Sequence, residues 1–320
     1  LTSGLATEDG ESVPRFSIVI PTYNHGKWIG RCLRSLIAQT EPSWEAIVVN
    51  NYSEDDTIEV VNAIGDPRIQ LVQFRNHGVI AASRNEALRR CRGEMVAFLD
   101  SDDEWLPRKL EIVWRQAADE PNSVLFSHFL EGRDIVSGAS KVIDTRRSYA
   151  VNYRNLLLYG NCLGNSSVVV RREFLSRYGL KQDERRDFIT CEDFDFWLNV
   201  IRQGGSFRLI PAVLGICWFS PGGESYNMER HFGNLKNVIR HHCLNVQEFT
   251  SMRRWLYSRA LGTIKLRLGA ECVRRGLWTS GCACLIEALA RNPSAGLNFA
   301  RDRIRRWRGY SGPRAAHEGN

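Results

Sequence analysis

The chain has 320 residues, 43% hydrophobic and 25% charged, with a net charge of +7. That is enough chain for a sizeable core, as one large domain or a catalytic domain with an appendage, and the composition excludes a disordered or fibrous protein. The charge is uneven. From Glu248 onward there are 14 Lys and Arg against 5 Asp and Glu, a net of +9, which leaves −2 for the rest and argues against a globally nucleic-acid-binding chain.

Leu1 to Pro14 is polar and acidic, without a basic-then-apolar signal pattern, and is expected to be a disordered leader. Phe16 to Ile20 is an apolar β-branched run ending at Pro21, a buried first strand. Trp28 to Gln39 has helical spacing, with Trp28, Ile29, Cys32, Leu33, Leu36 and Ile37 on one face. Trp44 to Val49 reads as a second strand ending at Asn50-Asn51. A helix from Asp55 to about Ile64, a strand over Ile69–Phe74, a helix over Ala81–Cys91 and a strand over Glu94–Leu99 follow. Such alternation predicts an α/β fold with a parallel sheet covered on both faces. In such sheets ligands bind beyond the carboxyl ends of the strands. The loop Pro21-Thr22-Tyr23-Asn24, the Asn50-Asn51 turn and the tetrad Asp100-Ser101-Asp102-Asp103 all fall there.

Three carboxylates within four residues cost folding free energy unless a cation or strong donors neutralise them. Hard oxygen ligands suit Mg²⁺ or Mn²⁺ with waters and substrate phosphates completing the shell. The competing reading of the tetrad is a solvated turn with helix-capping aspartates before Glu104-Trp105-Leu106-Pro107.

Further along, Pro107–Ala118 reads as a helix and Ser123–Leu130 as a strand. Gly132–Tyr149 reads as a variable loop or hairpin, and Asn152–Tyr159 as a short helix before the polar stretch Gly160–Ser167. Val168–Val170 is a strand and Arg172–Tyr178 a helix. Glu192-Asp193 opens a helix whose apolar face is Phe194, Trp197, Leu198 and Ile201. Two strands, Phe207–Ile210 and Val213–Phe219, lead to a loop at Ser220–Ser225. From Arg230 the pattern is helical and basic, ending in a tail after Gly309. The nine cysteines include no CxxC pair and read as reduced thiols.

No dinucleotide fingerprint or Walker-type loop follows the first strand, since Gly26-Lys27 is followed by Trp28. The ordered set Ile20–Asn24, Ser35–Thr40, Ser53–Thr57, Ser83-Arg84-Asn85, Asp100–Asp103 and Glu192-Asp193 instead resembles the inverting family-2 glycosyltransferases, over about residues 15 to 225. The resemblance implies a GT-A fold, a UDP-linked nucleotide-sugar donor, and a divalent metal, Mn²⁺ or Mg²⁺. By position, Asp102 would be the metal ligand through the donor diphosphate. Pro21, Thr22, Tyr23, Asn51, Arg84 and Asp100 would meet the nucleotide. Asp103, Glu192 and Asn165 would support or contact donor sugar or acceptor, and Asp193 would be the catalytic base. An Asn at position 50 or 51, where the family often has aspartates, can accept the uracil N3–H through its carbonyl. The processive signature Gln-x-x-Arg-Trp is absent, which points to transfer of single sugars.

These features divide the chain into a leader over 1–14, a GT-A domain over 15–229, a basic helical region over 230–309 and a disordered tail over 310–320. The acceptor implied is a glycan or lipid-linked glycan of surface polysaccharide or glycoconjugate synthesis. The implied place is the cytoplasm, with peripheral contact at the inner face of the membrane through the basic helices. The competing readings are a non-catalytic nucleotide-sugar-binding protein and a sugar nucleotidyltransferase. The latter would be expected to carry a glycine- and basic-rich loop after the first strand.

Overall fold

A computed structural model describes residues 13–143, 150–219, 228–246, 249, 251–294 and 296–297. Residues 1–12 of the expected leader over 1–14, the loop at Ser220–Ser225 and the tail over 310–320 therefore lie outside the described residues. The chain forms two compact units whose segments interleave. The first comprises Leu1–Ile143, Leu163–Arg186 and Asn199–Gly223, and the second Asp144–Cys162, Asp187–Leu198 and Glu224–Asn320.

The first unit is built on one sheet. Its strands are β1 (Phe16–Thr22), β2 (Trp44–Asn50), β3 (Ile69–Gln73), β4 (Met95–Phe98), β5 (Glu104–Trp105), β6 (Leu125–Asp134), β7 (Ser140–Ile143), β8 (Val169–Arg171) and β9 (Phe207–Phe219). They lie in the order β3-β2-β1-β4-β8-β6-β9-β5, with β7 paired to β6. The quartet β3-β2-β1-β4 is parallel. Strand β8 is antiparallel to both neighbours, while β6 and β9 run parallel. Helices α1 (Gly26–Ile37), α2 (Thr57–Ile64), α3 (Ile80–Leu88), α4 (Lys109–Asp119) and α6 (Arg172–Arg177) belong to this unit. The mixed, mostly parallel α/β architecture agrees with the sequence reading.

Burial explains the elements. Every residue of β1 and β4 is buried, as expected for central parallel strands. Strand β3 alternates between half-buried and exposed residues because it is the edge. Helix α1 buries Ile29, Cys32, Leu33 and Leu36 completely against this sheet's core of Phe16, Ile18, Ile20, Ala97 and Leu99. Each such aliphatic side chain contributes about 1.5–3 kcal/mol by leaving water.

Three differences from the sequence expectations have local causes. The expected pair of strands before Phe219 is one strand, β9, in which Pro211 lacks an N–H and the ladder with β6 shifts register between His128 and Leu130. Glu104-Trp105, to which the sequence assigned no element, is the short strand β5 paired to Gly215 and Ile216. The ambiguous segment after Gly132 is a hairpin, with β6 continuing to Asp134 and β7 returning along it.

The second unit holds α5 (Tyr153–Tyr159), α8 (Met228–Arg240), α9 (Arg253–Arg274), α10 (Trp278–Arg291) and the start of α7 (Glu192–Arg202). Where the sequence suggests a division at residue 229, this unit draws in two earlier segments. Polar contacts account for the grouping. Thr263 donates to the Leu158 carbonyl at 2.5 Å and Arg267 to the Tyr159 carbonyl at 2.6 Å. Asn234 donates to the Ile189 carbonyl at 2.8 Å. Among the described residues no helix is long and apolar enough to cross a membrane, and the nine cysteines form no disulfide.

Gly93 leads into β4 where a Cβ would stand 2.5 Å from the Ser17 nitrogen and 2.6 Å from the Phe16 carbonyl carbon. Its N–H donates to the buried Ser17 hydroxyl at 2.7 Å. Because the obstacle is backbone, Gly93→Ala is expected to destabilise by about 1–3 kcal/mol. Chemical denaturation measures it; an unchanged midpoint would show that the β1–β4 entry has room the distances deny.

Candidate active site

The carboxyl ends of β1, β2 and β4 carry the loops that the sequence singled out. The Asn51 N–H donates to the Thr22 carbonyl at 3.0 Å, which ties the first two loops together. Asn24 adopts a positive φ of 52°, its N–H donates to Ser53 Oγ at 2.8 Å, and its Oδ1 accepts the Glu54 N–H at 2.8 Å. The start of α1 is capped from the next loop: Thr57 Oγ1 accepts the His25 N–H and Asp55 Oδ2 accepts that of Gly26, each at 2.9 Å. Burial opposes ionisation of Asp55, yet the donors from Thr57 and Gly26 prevail and hold its carboxyl below the usual range.

The two asparagines have different duties. Asn50 is wholly buried; its Nδ2 donates to Gln73 Oε1 at 2.8 Å and its Oδ1 accepts the Ser53 hydroxyl at 2.5 Å. Both ends of its amide are thus used, the oxygen within the turn and the nitrogen on the end of β3. Asn51 Oδ1 accepts the Asn76 N–H at 2.9 Å, leaving one oxygen lone pair and the Nδ2 donors for other use. Tyr23 is 48% exposed, so it is a surface ring at the sheet edge and not a core aromatic. Tyr52, equally exposed, carries the Arg75 guanidinium 4.8 Å over its ring and was not singled out by the sequence reading. Thr22 Oγ1 is buried without a hydrogen-bond partner among the described residues, and Pro21 is a buried strand residue opposite Val49.

The tetrad's carboxylates are separated by their surroundings. Asp100 Oδ1 accepts from Arg84 Nη2 at 2.9 Å and from Asn165 Nδ2 at 2.8 Å. Arg84 is buried in α3 and extends a second nitrogen towards Gln182 Oε1 at 3.4 Å, so it orients Asp100 from beneath. Asp103 is buried; Ser166 Oγ donates to it at 2.5 Å and the Trp218 N–H at 3.1 Å. Burial first, then the charges of Asp102 and Asp100, push its carboxyl well above the usual range. This placement suits the supporting role expected of Asp103, not direct contact with a sugar. Asp102 is half-buried, and among the described residues no side chain hydrogen-bonds or ion-pairs with its carboxylate. Its carboxyl too is raised, by burial and then by Asp100, against the pull of His25 and Arg31. Arg31 Nη2 holds the Asp102 backbone carbonyl at 2.8 Å and its guanidinium lies 4.1 Å over the Trp218 ring.

Two supporting residues escaped the sequence reading. Ser166 Oγ accepts the Asp100 N–H at 3.1 Å while donating to Asp103, and its carbonyl accepts Trp105 Nε1 at 2.8 Å. His25 Nδ1 meets Ser101 Oγ at 2.7 Å. Only the polar run Asn165-Ser166-Ser167 before a strand hinted at the first. Asn165 Oδ1 is buried without a partner among the described residues.

The second unit holds the other acidic candidates. Glu192 and Asp193 lie in the first turn of α7, where negative charge also favours the helix dipole. Glu192 is buried. Asp193 is half-exposed; its Oδ2 accepts from Asn161 Nδ2 at 3.4 Å. Asp195, two residues on, points elsewhere: it is buried and accepts from His242 Nε2 at 2.8 Å, while His242 Nδ1 meets the Tyr153 hydroxyl at 2.9 Å. His231 lies in α8 against Thr190 Oγ1 at 3.1 Å, and burial lowers its pKa.

Among known sequences, the profile of the family described as Glycosyl transferase family 2 matches residues 17–179, half of the chain. The chain belongs to glycosyl transferase family 2. It is 31% identical over 227 residues to the Escherichia coli UDP-Glc:alpha-D-GlcNAc-diphosphoundecaprenol beta-1,3-glucosyltransferase WfaP, covering 70% of this chain and 85% of that one. Its similarity to WfgD, of the same printed activity and organism, is 30% over 188 residues, 58% of this chain and 70% of that one. The putative teichuronic acid biosynthesis glycosyltransferase TuaG of Bacillus subtilis is 28% identical over 60% of this chain and 73% of its own. In fold, the chain resembles S. aureus TarS 1-349 in complex with UDP-GlcNAc, with a TM-score of 0.60 at 20% identity over 88% of this chain and 91% of that one. It also resembles the mannosyltransferase PcManGT from Pyrobaculum calidifontis in complex with GDP-Man and Mn²⁺, with a TM-score of 0.53 at 19% identity over 97% and 86%. The protein is thus a glycosyltransferase with a GT-A-type fold.

Among the described residues no three His, Cys, Asp or Glu side chains form a ready-made metal cage. The tetrad offers one uncommitted hard carboxylate, Asp102, beside two that the protein already satisfies. Such a donor set fits a Mg²⁺ or Mn²⁺ ion whose shell is completed by substrate phosphates and water.

Ser166→Ala would leave the Asp100 N–H and the buried Asp103 each one partner short. The expected cost is about 1–3 kcal/mol, read as a lower thermal midpoint together with weaker donor binding. A variant as stable as the parent, with unchanged donor affinity, would remove Ser166 from the support of the tetrad.

Proposed function

We propose that this glycosyltransferase moves one hexosyl or N-acetylhexosaminyl group, with inversion and with a divalent metal, from a UDP-sugar to a glycan or lipid-linked glycan acceptor. The product would be surface polysaccharide or glycoconjugate. The observation that carries the reading is the division of labour in the tetrad: Asp100 is held by Arg84 and Asn165, Asp103 is buried as a support, and Asp102 is left for a cation. The printed activity of WfaP and WfgD, a UDP-glucose donor and a diphosphoundecaprenol-linked acceptor, supports the donor and acceptor classes. The same reading places the enzyme in the cytoplasm, in peripheral contact with the inner face of the membrane.

In this mechanism the nucleotide lies over the loops of Thr22, Tyr23 and Asn51. Tyr23 offers an exposed ring for stacking, and Asn51 retains amide donors for a base or ribose oxygen. Asp100, held by Arg84 Nη2 and Asn165, serves the nucleoside. Asp102 would hold Mn²⁺ or Mg²⁺, which supplies neutralisation of the charge that grows on the leaving diphosphate. Asp193 takes the proton of the acceptor hydroxyl as that oxygen attacks the anomeric carbon. The C–O bond to the diphosphate breaks on the opposite face, which inverts the anomeric centre. Glu192 and Asn165 are placed with donor sugar or acceptor in this scheme.

Asp193→Asn is expected to keep donor binding and to lose about 10²- to 10⁴-fold in transfer rate. Chelation with EDTA should abolish transfer in the parent, and Mn²⁺ or Mg²⁺ should restore it. Nucleotide release from UDP-sugars with a panel of lipid-linked and soluble glycan acceptors reads both effects. Near-parental activity of Asp193→Asn would refute the base assignment; undiminished activity in EDTA would refute the metal.

A further inference from the structure

Helices α9 and α10 form an antiparallel hairpin. Leu277 N–H donates to the Cys272 carbonyl at the turn, and at the far end Asn292 Nδ2 donates to the Arg259 carbonyl at 3.0 Å. The two helices approach through small residues. A Cβ on Gly269 would stand 2.9 Å from the Gly281 carbonyl oxygen, and one on Gly262 3.1 Å from that of Ala288. The buried side of α10 is therefore Gly281 and Ala288.

Leu285 packs inward against Leu266, but three other large apolar residues are on the outside. Trp278 is 64%, Ile286 70% and Leu289 51% exposed, with Cys282 exposed between them. At 3.6 residues per turn these four fall within one arc of the helix, and Ala283 and Ala290 extend it. No charged side chain occurs between Arg275 and Glu287. Arginines stand at both ends: Arg274 and Arg275 by the turn, and Arg253, Arg254 and Arg291 at the other, where Trp255 and Met252 are also exposed. Over residues 253–291 there are eight Lys and Arg against two acidic residues.

We propose that this outer face of α10 docks the enzyme on an anionic lipid surface. The tryptophan and aliphatic residues enter the headgroup–acyl boundary and the arginines pair with lipid phosphates. Two observations favour lipid over a protein partner or a second copy. The apolar residues Trp278, Ile286 and Leu289 face outward, while the side of α10 turned to α9 holds Gly281, Ala288 and the half-buried Leu285. The rim of the outward face is net cationic even though Glu271 pairs with Arg274 and Arg275 and Glu287 with Arg291, which makes it complementary to an anionic surface and self-repelling against an identical copy. The inference rests on the proposed lipid-linked acceptor and names the surface that would meet its membrane.

The test is flotation of the full chain with vesicles of phosphatidylcholine alone or with about one third phosphatidylglycerol, for the parent and for Trp278→Ser/Ile286→Ser. The parent should float with the anionic vesicles, less so at high salt. The double variant, which keeps every charge, should lose roughly tenfold or more in partition. Its thermal midpoint and its transfer to a soluble acceptor should match the parent's. A parent that stays soluble with anionic vesicles, or a double variant that floats equally well, overturns the proposal. Light scattering that shows a parent dimer and a variant monomer, without vesicle binding, assigns the face to a second copy and overturns it too. Failed flotation with intact transfer defeats this inference alone, whereas absent transfer with intact flotation defeats the functional reading.

Discussion

Three carboxylates within four residues, at the end of a buried parallel strand, set the constraint around which the first unit is arranged. Repulsion and lost hydration would both oppose folding, and the fold answers each carboxylate differently. Asp100 meets a buried guanidinium and an amide. Asp103 is taken inside, where a hydroxyl and a backbone N–H satisfy it and where its burial favours the protonated form. Asp102 is left half-exposed, with its backbone pinned by Arg31 and its carboxylate unengaged by a side chain. The protein spends Arg84, Asn165, Ser166 and Trp218 on two aspartates and gives the third no side-chain hydrogen bond among the described residues, which is what supports the proposed metal there.

Arg84 also shows why the short motif Ser83-Arg84-Asn85 acts as a unit. Helix α3 is buried along most of its length, so its polar residues each need a partner. Ser83 accepts from Asn76 Nδ2 and holds the preceding loop. Asn85 clamps the backbone of Gln182, accepting its N–H and donating to its carbonyl, each at 2.8 Å. Arg84, between them, reaches Asp100. The motif is a junction that joins the loop after β3, the end of β4 and the segment after α6.

Much of this was legible in the sequence, for physical reasons that differ by element. Strands β1, β2 and β4 are visible because central parallel strands are continuous apolar runs, and the loops at their carboxyl ends follow from topology. Strand β5 was hidden because two residues give no period, and its partner lies more than a hundred residues away. The Pro211 interruption in β9 looked like a strand break because sequence shows the missing donor but not the bulge that accommodates it. The aspartates stood out, whereas Ser166 did not, since a serine that bridges two of them has no local signature. Nor does sequence tell a buried Arg84 from an exposed one, or show that Asn50 is engaged by its own turn and by Gln73 of β3 while Asn51 keeps an amide to offer. In the second unit, the neighbours Asp193 and Asp195 differ only in which side of a helix they take. One is half-exposed and the other is locked to His242.

The account turns on Asp102 serving a metal-bound diphosphate. Calorimetric titration of UDP into the parent and into Asp102→Asn, each with Mn²⁺ and with EDTA, tests this directly. The account predicts that Mn²⁺ strengthens UDP binding to the parent by roughly tenfold or more, and that Asp102→Asn loses this gain while matching the parent in EDTA. Equal enhancement by Mn²⁺ in both proteins would contradict it.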